Sequence, residues 1–219
     1  MTRQFATDVR LLARRAGAAL PLVALAAVVA AVAACGDDPV QPTATRPVGS
    51  LNILRRSEAA PPLVSNSASF YAVRGEDREL RMSYANTGEA GSGAEFLRLR
   101  VNRNTLLARP DGSTVAQGDS VLITVTADPV LMSVDFQPSG LRFSSSEPAE
   151  LKLRWAEADD DINRDGRVDG ADDALRDDLA IWRHESANDP WGKLATVLKL
   201  DVEEAEARLT GFSGYAVAY

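Results

Sequence analysis

Leu97-Arg98-Leu99-Arg100-Val101 alternates apolar and charged side chains without interruption. Successive side chains of a β-strand point to opposite faces, so this alternation predicts a strand with one buried face. The same period recurs in Leu80/Met82/Tyr84, Val121/Ile123/Val125 and Leu151/Leu153/Trp155. Turn signals such as Asn86-Thr87-Gly88 and Pro110-Asp111-Gly112 separate these stretches. Short strands joined by turns predict a mainly β protein, built as an antiparallel β-sandwich.

One short helix is expected in the second half of the chain. Ala171, Leu175 and Leu179 recur every four residues, which is the spacing of one helix face. A helix from Ala171 to about Ala180 is therefore predicted, immediately after an acidic segment. A strand from Leu179 to Arg183 is expected to follow it.

The acidic segment from Asp161 to Asp172 has the donor spacing of an EF-hand-type calcium loop. In such a loop, oxygen ligands come from positions 1, 3, 5, 7, 9 and 12, and position 7 contributes its backbone carbonyl. The residues at these positions are Asp161, Asn163, Asp165, Arg167, Asp169 and Asp172. Gly166 occupies position 6, where the chain turns sharply, and Val168 is the apolar residue at position 8. These six residues are the predicted ligands of a calcium ion.

The same segment can also be interpreted as an acidic turn without a ligand. Between Glu157 and Asp178, ten acidic residues stand against three arginines. Such crowding is self-repulsive unless a cation or salt offsets it. Hard oxygen donors with no Cys or His nearby favour calcium over zinc, and their number and flexibility disfavour magnesium. We therefore expect calcium as the cofactor of an insertion at about residues 157–178.

The pattern D-x-N-x-D-G-x-V-x-x-x-D resembles the dockerin-type calcium loop, a bacterial relative of the EF-hand that commonly ends in Asp. Asp173 stands at position 13, where the family usually has an apolar residue. The chain has one copy of the loop, whereas dockerins pair two, so cohesin binding is not implied. Since no helix is expected before Asp161, a static structural site is favoured over a sensor, which needs two helices that reorient.

The N-terminus has the organisation of an export signal helix. Four arginines between Arg3 and Arg15 precede an uncharged Ala/Val/Leu run from Ala16 to Ala34, as in the basic and apolar regions of a signal peptide. The run ends at Val32-Ala33-Ala34-Cys35, which resembles the lipobox of bacterial lipoproteins. The resemblance implies cleavage after residue 34 and lipidation of Cys35. The alternative is an uncleaved transmembrane anchor, since the run can just span a bilayer.

Cys35 is the only cysteine of the chain, and lipidation accounts for a single thiol in an exported protein. The bilayer is then a partner through the acylated Cys35, and the protein is anchored in the bacterial cell envelope. Gly36 rather than Asp follows the cysteine, which slightly favours the outer membrane. Residues 35–50 contain three prolines and no apolar period, so they are predicted to form the lipidated cysteine and a flexible tether. Residues 51–219 are predicted to form the β-sandwich domain.

The charge balance excludes one class of partner. The chain has 31 acidic and 24 basic side chains, and its net charge is −7. Nucleic-acid binding needs lysine and arginine side chains that neutralise phosphates, so no nucleic-acid partner is expected. Once Cys35 is lipidated, no cysteine remains for a disulfide, and the domain must rely on its apolar core.

Three apolar phrases occur in the second half of the chain: Phe136 to Phe143, Glu147 to Leu153 and Phe212 to Val217. Together they resemble the β-sandwich module shared by ankyrins, netrin receptors and zonula occludens proteins. That module is known for protein interaction rather than catalysis, so the resemblance implies an interaction role. Gly211 stands where the module often has a His before the closing Phe-Ser.

The motifs favour a non-catalytic module over an enzyme. The sole histidine, His184, has no free cysteine to activate, and no stretch resembles G-x-S-x-G. Glycosidase chemistry needs two carboxylates at a defined separation, but the acidic residues cluster in the predicted calcium insertion. No catalytic residue is therefore predicted. A calcium-binding structural or interaction module of the envelope is the expected function, and a hydrolase is the third choice.

The second choice is a calcium-dependent carbohydrate- or polymer-binding domain. Trp155, Trp182 and Trp191 could line a sugar-binding face or pack in the core of the sandwich. An exposed stripe of Trp or Tyr side chains would favour carbohydrate binding, whereas buried tryptophans would favour the plain module. An envelope protein or polysaccharide is expected as a partner, and the sequence leaves the oligomeric state open.

Overall fold

Fourteen strands and one helix make up the described part of the chain. The computed structural model describes residues 42–86 and 93–219. In chain order the elements are β1 (Ala44–Arg46), β2 (Ser67–Val73), β3 (Arg78–Ser83), β4 (Glu95–Val101), β5 (Leu106–Ala108), β6 (Ser120–Ala127), β7 (Ser133–Gln137), β8 (Arg142–Phe143), β9 (Ala149–Arg154), α1 (Gly170–Arg176), β10 (Ala180–His184), β11 (Trp191–Lys193), β12 (Thr196–Lys199), β13 (Glu204–Leu209) and β14 (Gly214–Ala218). Residues 87 and 88 of the predicted turn Asn86-Thr87-Gly88 lie outside the described residues.

Most of these strands belong to two antiparallel sheets. One sheet has seven strands in the order β1-β11-β10-β14-β7-β6-β2, and the other has five in the order β12-β13-β9-β4-β3. Strands β5 and β8 form a separate two-stranded sheet. The predicted fold class, mainly β with antiparallel sheets and one short helix, is confirmed. The four alternating stretches coincide with β3, β4, β6 and β9.

The two large sheets enclose one apolar core. Leu97 and Leu99 of β4 lie opposite Leu153 and Leu151 of β9 in the five-stranded sheet. Ile123 of β6, in the seven-stranded sheet, belongs to the same buried cluster. All five side chains are at most 1% exposed, and full burial of such a side chain stabilises the fold by roughly 1.5–3 kcal/mol. The alternation of apolar and polar residues therefore has its expected consequence, a sandwich with an apolar interior.

A second, smaller apolar cluster lies on the opposite face of the seven-stranded sheet. Trp182 of β10 and Trp191 of β11 pack there with the alanines of β14. Leu51 and Ile53 cover this cluster. Ile53 also bridges Ala218 of β14 in an antiparallel contact. The chain segment before the first long strand thus forms a cover over the outer surface of this sheet.

Part of the predicted tether is paired in a sheet. Residues Ala44–Arg46 form β1, which runs antiparallel to β11 with Ala44 opposite Lys193, and the Thr43 amide donates to the Lys193 carbonyl at 2.8 Å. The prediction of a flexible tether is therefore wrong for Ala44–Arg46. Main-chain pairing at a sheet edge needs no apolar pattern, so the composition of this segment does not reveal it.

The predicted signal helix of residues 1–34 and the tether residues 35–41 lie outside the described residues. Within residues 42–86 and 93–219, no helix has the length and apolar character that crossing a membrane requires.

The predicted helix begins close to the expected residue but ends earlier. Helix α1 covers Gly170–Arg176, whereas the prediction extended to about Ala180. Leu179 is 2% exposed and belongs to the main core, and Ala180 opens β10. The prediction extended the helix too far because Leu179 is an apolar core residue. Burial in the core requires an apolar residue at position 179 whether that position is helical or lies just before a strand.

Candidate functional site

The predicted calcium loop follows strand β9 and leads directly into helix α1. Two residues of the loop adopt the left-handed conformation, Arg164 at φ 62° and Gly166 at φ 85°. Glycine adopts positive φ at no steric cost. Gly166 therefore allows the sharp turn that a calcium loop needs at position 6. The chain turns back on itself at these residues.

The first three predicted ligands come together over the backbone of this turn. The Asp165 amide donates to Oδ1 of Asp161 at 3.1 Å and to Oδ1 of Asn163 at 2.8 Å. These two oxygens therefore lie beside one N–H group. The Gly166 amide donates to the other Asp161 oxygen at 2.8 Å, and Nδ2 of Asn163 lies 3.3 Å from Oδ2 of Asp165. Positions 1, 3 and 5 of the loop are thus neighbours, as a shared cation would require.

The last predicted ligand, Asp172, closes the loop. Its side chain is buried, and its carboxylate accepts from the Asp169 amide at 2.9 Å and from the Asn163 amide at 3.1 Å. The hydrogen bond from Asp169, and after it the one from Asn163, holds the pKa of the Asp172 carboxyl below its ordinary value. Asp172 is therefore a charged clamp that joins the beginning of the loop to its end.

The remaining predicted ligands have local partners. Asp169 is the N-cap of α1, and its Oδ1 accepts from the Ala171 amide at 2.8 Å. With Asp172 it forms a capping box, which satisfies amides that the first turn of a helix leaves free. The Arg167 amide donates to Oδ1 of Asp165 at 2.9 Å.

The described residues contain no group of three or more His, Cys, Asp or Glu side chains placed to hold a metal ion. The carboxylates instead accept hydrogen bonds from the backbone of their own loop. The fit to calcium is therefore partial. Oxygen atoms of Asp161, Asn163 and Asp165 lie close together, whereas the carboxylates of Asp169 and Asp172 accept hydrogen bonds from backbone amides at the start of the helix. Calcium binding by this loop stays a prediction.

Arginines offset part of the acidic charge around the loop. Arg176 of α1 pairs with Asp160 at 2.8 Å and with Asp173 at 3.0 Å. It thereby ties the strand side of the insertion to the helix. Local pairing of this kind reduces the repulsion that the sequence predicted, but Asp161 and Asp165 have no salt bridge with a basic side chain among the described residues.

The loop also contacts the segment that covers the tryptophans and the residue Tyr219, which the sequence did not indicate. The Arg164 guanidinium donates to the Ile53 carbonyl in the segment that covers the tryptophans. The Tyr219 hydroxyl donates to the Ile162 carbonyl at 3.1 Å, and the Ile162 side chain is 4% exposed. The insertion is therefore held against the sandwich at three points.

All three tryptophans are buried. Trp155, Trp182 and Trp191 are 4%, 3% and 8% exposed. The Trp182 indole donates to the Ala218 carbonyl at 3.1 Å, and His184 stacks on Trp191 with 4.0 Å between ring centroids. No exposed stripe of tryptophans exists in the part of the chain that the structure describes.

A groove lies on the outer face of the five-stranded sheet. Its cavity volume is about 600 Å³, and Lys152, Lys199 and Glu206 contribute to its lining. Both lysines pair with Glu206 and also with Glu204, at 3.2 Å and 3.3 Å for the latter. Because these charges satisfy one another, the groove presents a neutralised network of ion pairs.

No family model matches this chain, and no curated protein or solved structure matches it. The loop, the buried tryptophans and the N-terminal motif therefore carry the functional proposal.

Proposed function

We propose that this chain is an exported, lipid-anchored calcium-binding module of the bacterial cell envelope, with a structural or protein-interaction role and no catalytic activity. The observation that carries the calcium assignment is the loop from Asp161 to Asp172. Its sequence has an oxygen donor at every ligand position, and its fold brings the donors of Asp161, Asn163 and Asp165 together.

Calcium would be held by the side-chain oxygens of Asp161, Asn163, Asp165 and Asp169, the carbonyl of Arg167 and the carboxylate of Asp172. Oxygen-only coordination is what this hard cation prefers. The ion would neutralise carboxylates that have no basic partner and would order the insertion. Because the loop contacts Ile53 and Tyr219, ordering it would also stabilise the packing of these two residues.

Calorimetric titration of the full chain with calcium tests this assignment. We expect binding at about 10⁻⁴ to 10⁻³ M, the range typical of extracellular calcium modules, and its loss in Asp161→Ala. Asp173→Ala is the matched control, because it removes the same charge one position beyond the loop. Absence of binding at millimolar calcium, or equal binding by Asp161→Ala and the unchanged chain, would contradict the proposal.

The lipid anchor is supported by the lipobox-like Val32-Ala33-Ala34-Cys35. Two or more acyl chains hold a protein stably on a bilayer, whereas one does so only marginally. Mass spectrometry of the mature protein should find an N-terminal acylated Cys35. In Cys35→Ser, the precursor should remain uncleaved. A mature N-terminus at Met1 or Ala16 would refute lipidation.

Burial of the tryptophans supports the interaction role over carbohydrate binding. Sugar-binding faces expose aromatic rings, whereas Trp182 and Trp191 lie beneath Leu51 and Ile53. We expect no calcium-dependent signal on a glycan array. Binding to a glycan that EDTA abolishes would overturn this choice and favour the carbohydrate-binding domain.

A further inference from the structure

The two large sheets have four edge strands, and three of them are protected against pairing with another chain. β1 has only three residues. β12 has four and ends at Lys199, which pairs with two glutamates. β3 carries Arg78, Glu79 and Arg81. Short length and charge are the usual means by which proteins block edge-to-edge association.

The fourth edge strand, β2, lacks this protection. It has seven residues, Ser67–Val73, none of them charged, proline or glycine. Among the described residues it pairs only with β6. A long, uncharged edge strand is a template for pairing with another strand.

The hydrogen bonds at the ends of β2 show which of its residues face away from β6. The Asn66 carbonyl and the Arg74 amide both bond across to the β6 side. Bonded and non-bonded positions alternate in an antiparallel ladder, and the register between β2 and β6 has no shift. The main-chain groups of Ser69, Tyr71 and Val73 therefore point outward from the sheet.

Hydrogen bonds within the chain limit the free outward groups on either side of Tyr71. At one end, the Ser67 amide donates to the Ser65 hydroxyl at 3.2 Å, and that hydroxyl donates to the Ser67 carbonyl at 2.6 Å. At the other end, the Val73 carbonyl accepts from the Glu76 amide at 3.1 Å. The free edge thus runs from Ser69 to the amide of Val73, with Tyr71 at its centre.

The side chains beside this edge are neutral. Tyr71 is 60% exposed and lies opposite Leu122, which is 48% exposed. The next pair, Ser69 and Thr124, joins its hydroxyls at 2.8 Å. In a chain of net charge −7, two copies repel each other on average, and this repulsion is smaller where two neutral edges meet.

From this arrangement we infer that the chain forms a two-fold dimer through antiparallel pairing of β2 with β2 of a second copy, with Tyr71 on the symmetry axis. Tyr71 of each copy would exchange two main-chain hydrogen bonds with Tyr71 of the other, and Ser69 would lie opposite Val73. The central position of Tyr71 lets two identical strands pair the amides and carbonyls of Ser69 and Tyr71 and the amide of Val73. The Val73 carbonyl, which already accepts from the Glu76 amide, would accept a second hydrogen bond from Ser69 of the other copy. Such an interface uses the same surface on both copies, as a two-fold dimer requires, and it would extend the seven-stranded sheet across the pair.

Sedimentation of the full chain in non-ionic detergent, over a range of concentrations, tests the dimer. Tyr71→Lys places like charges opposite each other, and Ser69→Pro removes an outward amide that β6 does not use. We expect each variant to weaken the dimer about fivefold. Val197→Lys, at a residue of β12 that is 59% exposed, should leave it unchanged. Equal melting temperatures would show that the variants remain folded.

Cross-linking gives a second readout that does not depend on affinity. Directly opposite residues of a hydrogen-bonded pair have Cα atoms about 5.5 Å apart, within reach of a disulfide. In a Cys35→Ser background, Tyr71→Cys should therefore form a disulfide-linked dimer, whereas Val197→Cys should not. A chain that is monomeric at every concentration, or a dimer that both Tyr71→Lys and Ser69→Pro leave intact, would overturn the inference.

Discussion

Glu206 lies between the ammonium groups of Lys152 and Lys199 on the outer face of the five-stranded sheet. Burial acts to raise the pKa of its carboxyl, but hydrogen bonds from Lys152 and Lys199 outweigh this effect and lower the pKa to about 2. The hydrogen bond to Glu206 correspondingly raises the pKa of Lys199. Three separate strands, β9, β12 and β13, supply these side chains, so the network links them across the sheet.

The Glu206 network predicts a pH-dependent contribution to stability. Since the folded-state pKa is lowered from an ordinary value of 4.5, the contribution is present above that value and is lost as the pH falls toward 2. Glu206→Gln should reduce the free energy of unfolding by about 1 kcal/mol at neutral pH. Urea denaturation should find this difference shrinking below pH 4.5. Glu58→Gln, an exposed residue without a salt bridge, is the control, and a pH-independent difference would contradict the prediction.

At the scale of elements, the insertion combines a turn and a seven-residue helix. So short a helix is marginal without help from its ends. Asp169 and Asp172 supply this help through the capping box. Two of the residues predicted from calcium-loop spacing thus have a structural role that does not depend on an ion.

Asp169→Ala should therefore destabilise the protein even in EDTA. Loss of an N-cap costs typically about 1 kcal/mol, which corresponds to about 2–4 °C in a protein of this size. Thermal melts in EDTA measure it. Asp173→Ala removes an exposed acidic residue of the same helix and should have a smaller effect. Equal melting temperatures for Asp169→Ala and the unchanged chain would show that the cap is dispensable.

At the scale of the whole molecule, segments distant in sequence complete the sandwich. Leu51 and Ile53 cover Trp182 and Trp191, and the Leu54 amide donates to the Val217 carbonyl at 3.0 Å. The beginning and the end of the described chain therefore meet on one sheet. If Cys35 is the anchor, as proposed, strand β1 and then the cover are the first parts of the described chain to follow it.

Replacing both Leu51 and Ile53 by serine should expose the tryptophans. Two partly buried aliphatic side chains contribute together about 2 kcal/mol, so the unfolding midpoint should fall. Tryptophan emission should shift to longer wavelength, and acrylamide should quench it more strongly. Val48→Ser, at an exposed residue just before the cover, is the control. Unchanged emission in the double variant would mean that this segment does not shield the rings.

Periodicity was sufficient to predict some strands and not others. β4 and β9 carry leucines at every second position, which is the local signature of a half-buried strand. β1 and β11 have three residues each, which is too few to show an alternation of apolar and polar side chains. β13 alternates too, but its inward residues include Ala205 and Ala207, whose small side chains give a weak signal.

The candidate site was predictable to a similar extent. The spacing of Asp161, Asn163 and Asp165 indicated three side chains on one turn, because their contacts are local. The hydrogen bonds from Arg164 to Ile53 and from Tyr219 to Ile162 join residues 111 and 57 positions apart. No local pattern encodes such pairs.

The sequence by itself determined the mainly β fold and the turn of the acidic loop, since both depend on residues that are neighbours along the chain. Only the tertiary structure decided that the tryptophans are covered, that Asp172 clamps the loop, and that β2 is an unprotected edge. Burial and strand order depend on which distant segments pack together, and side-chain alternation carries no information about that choice.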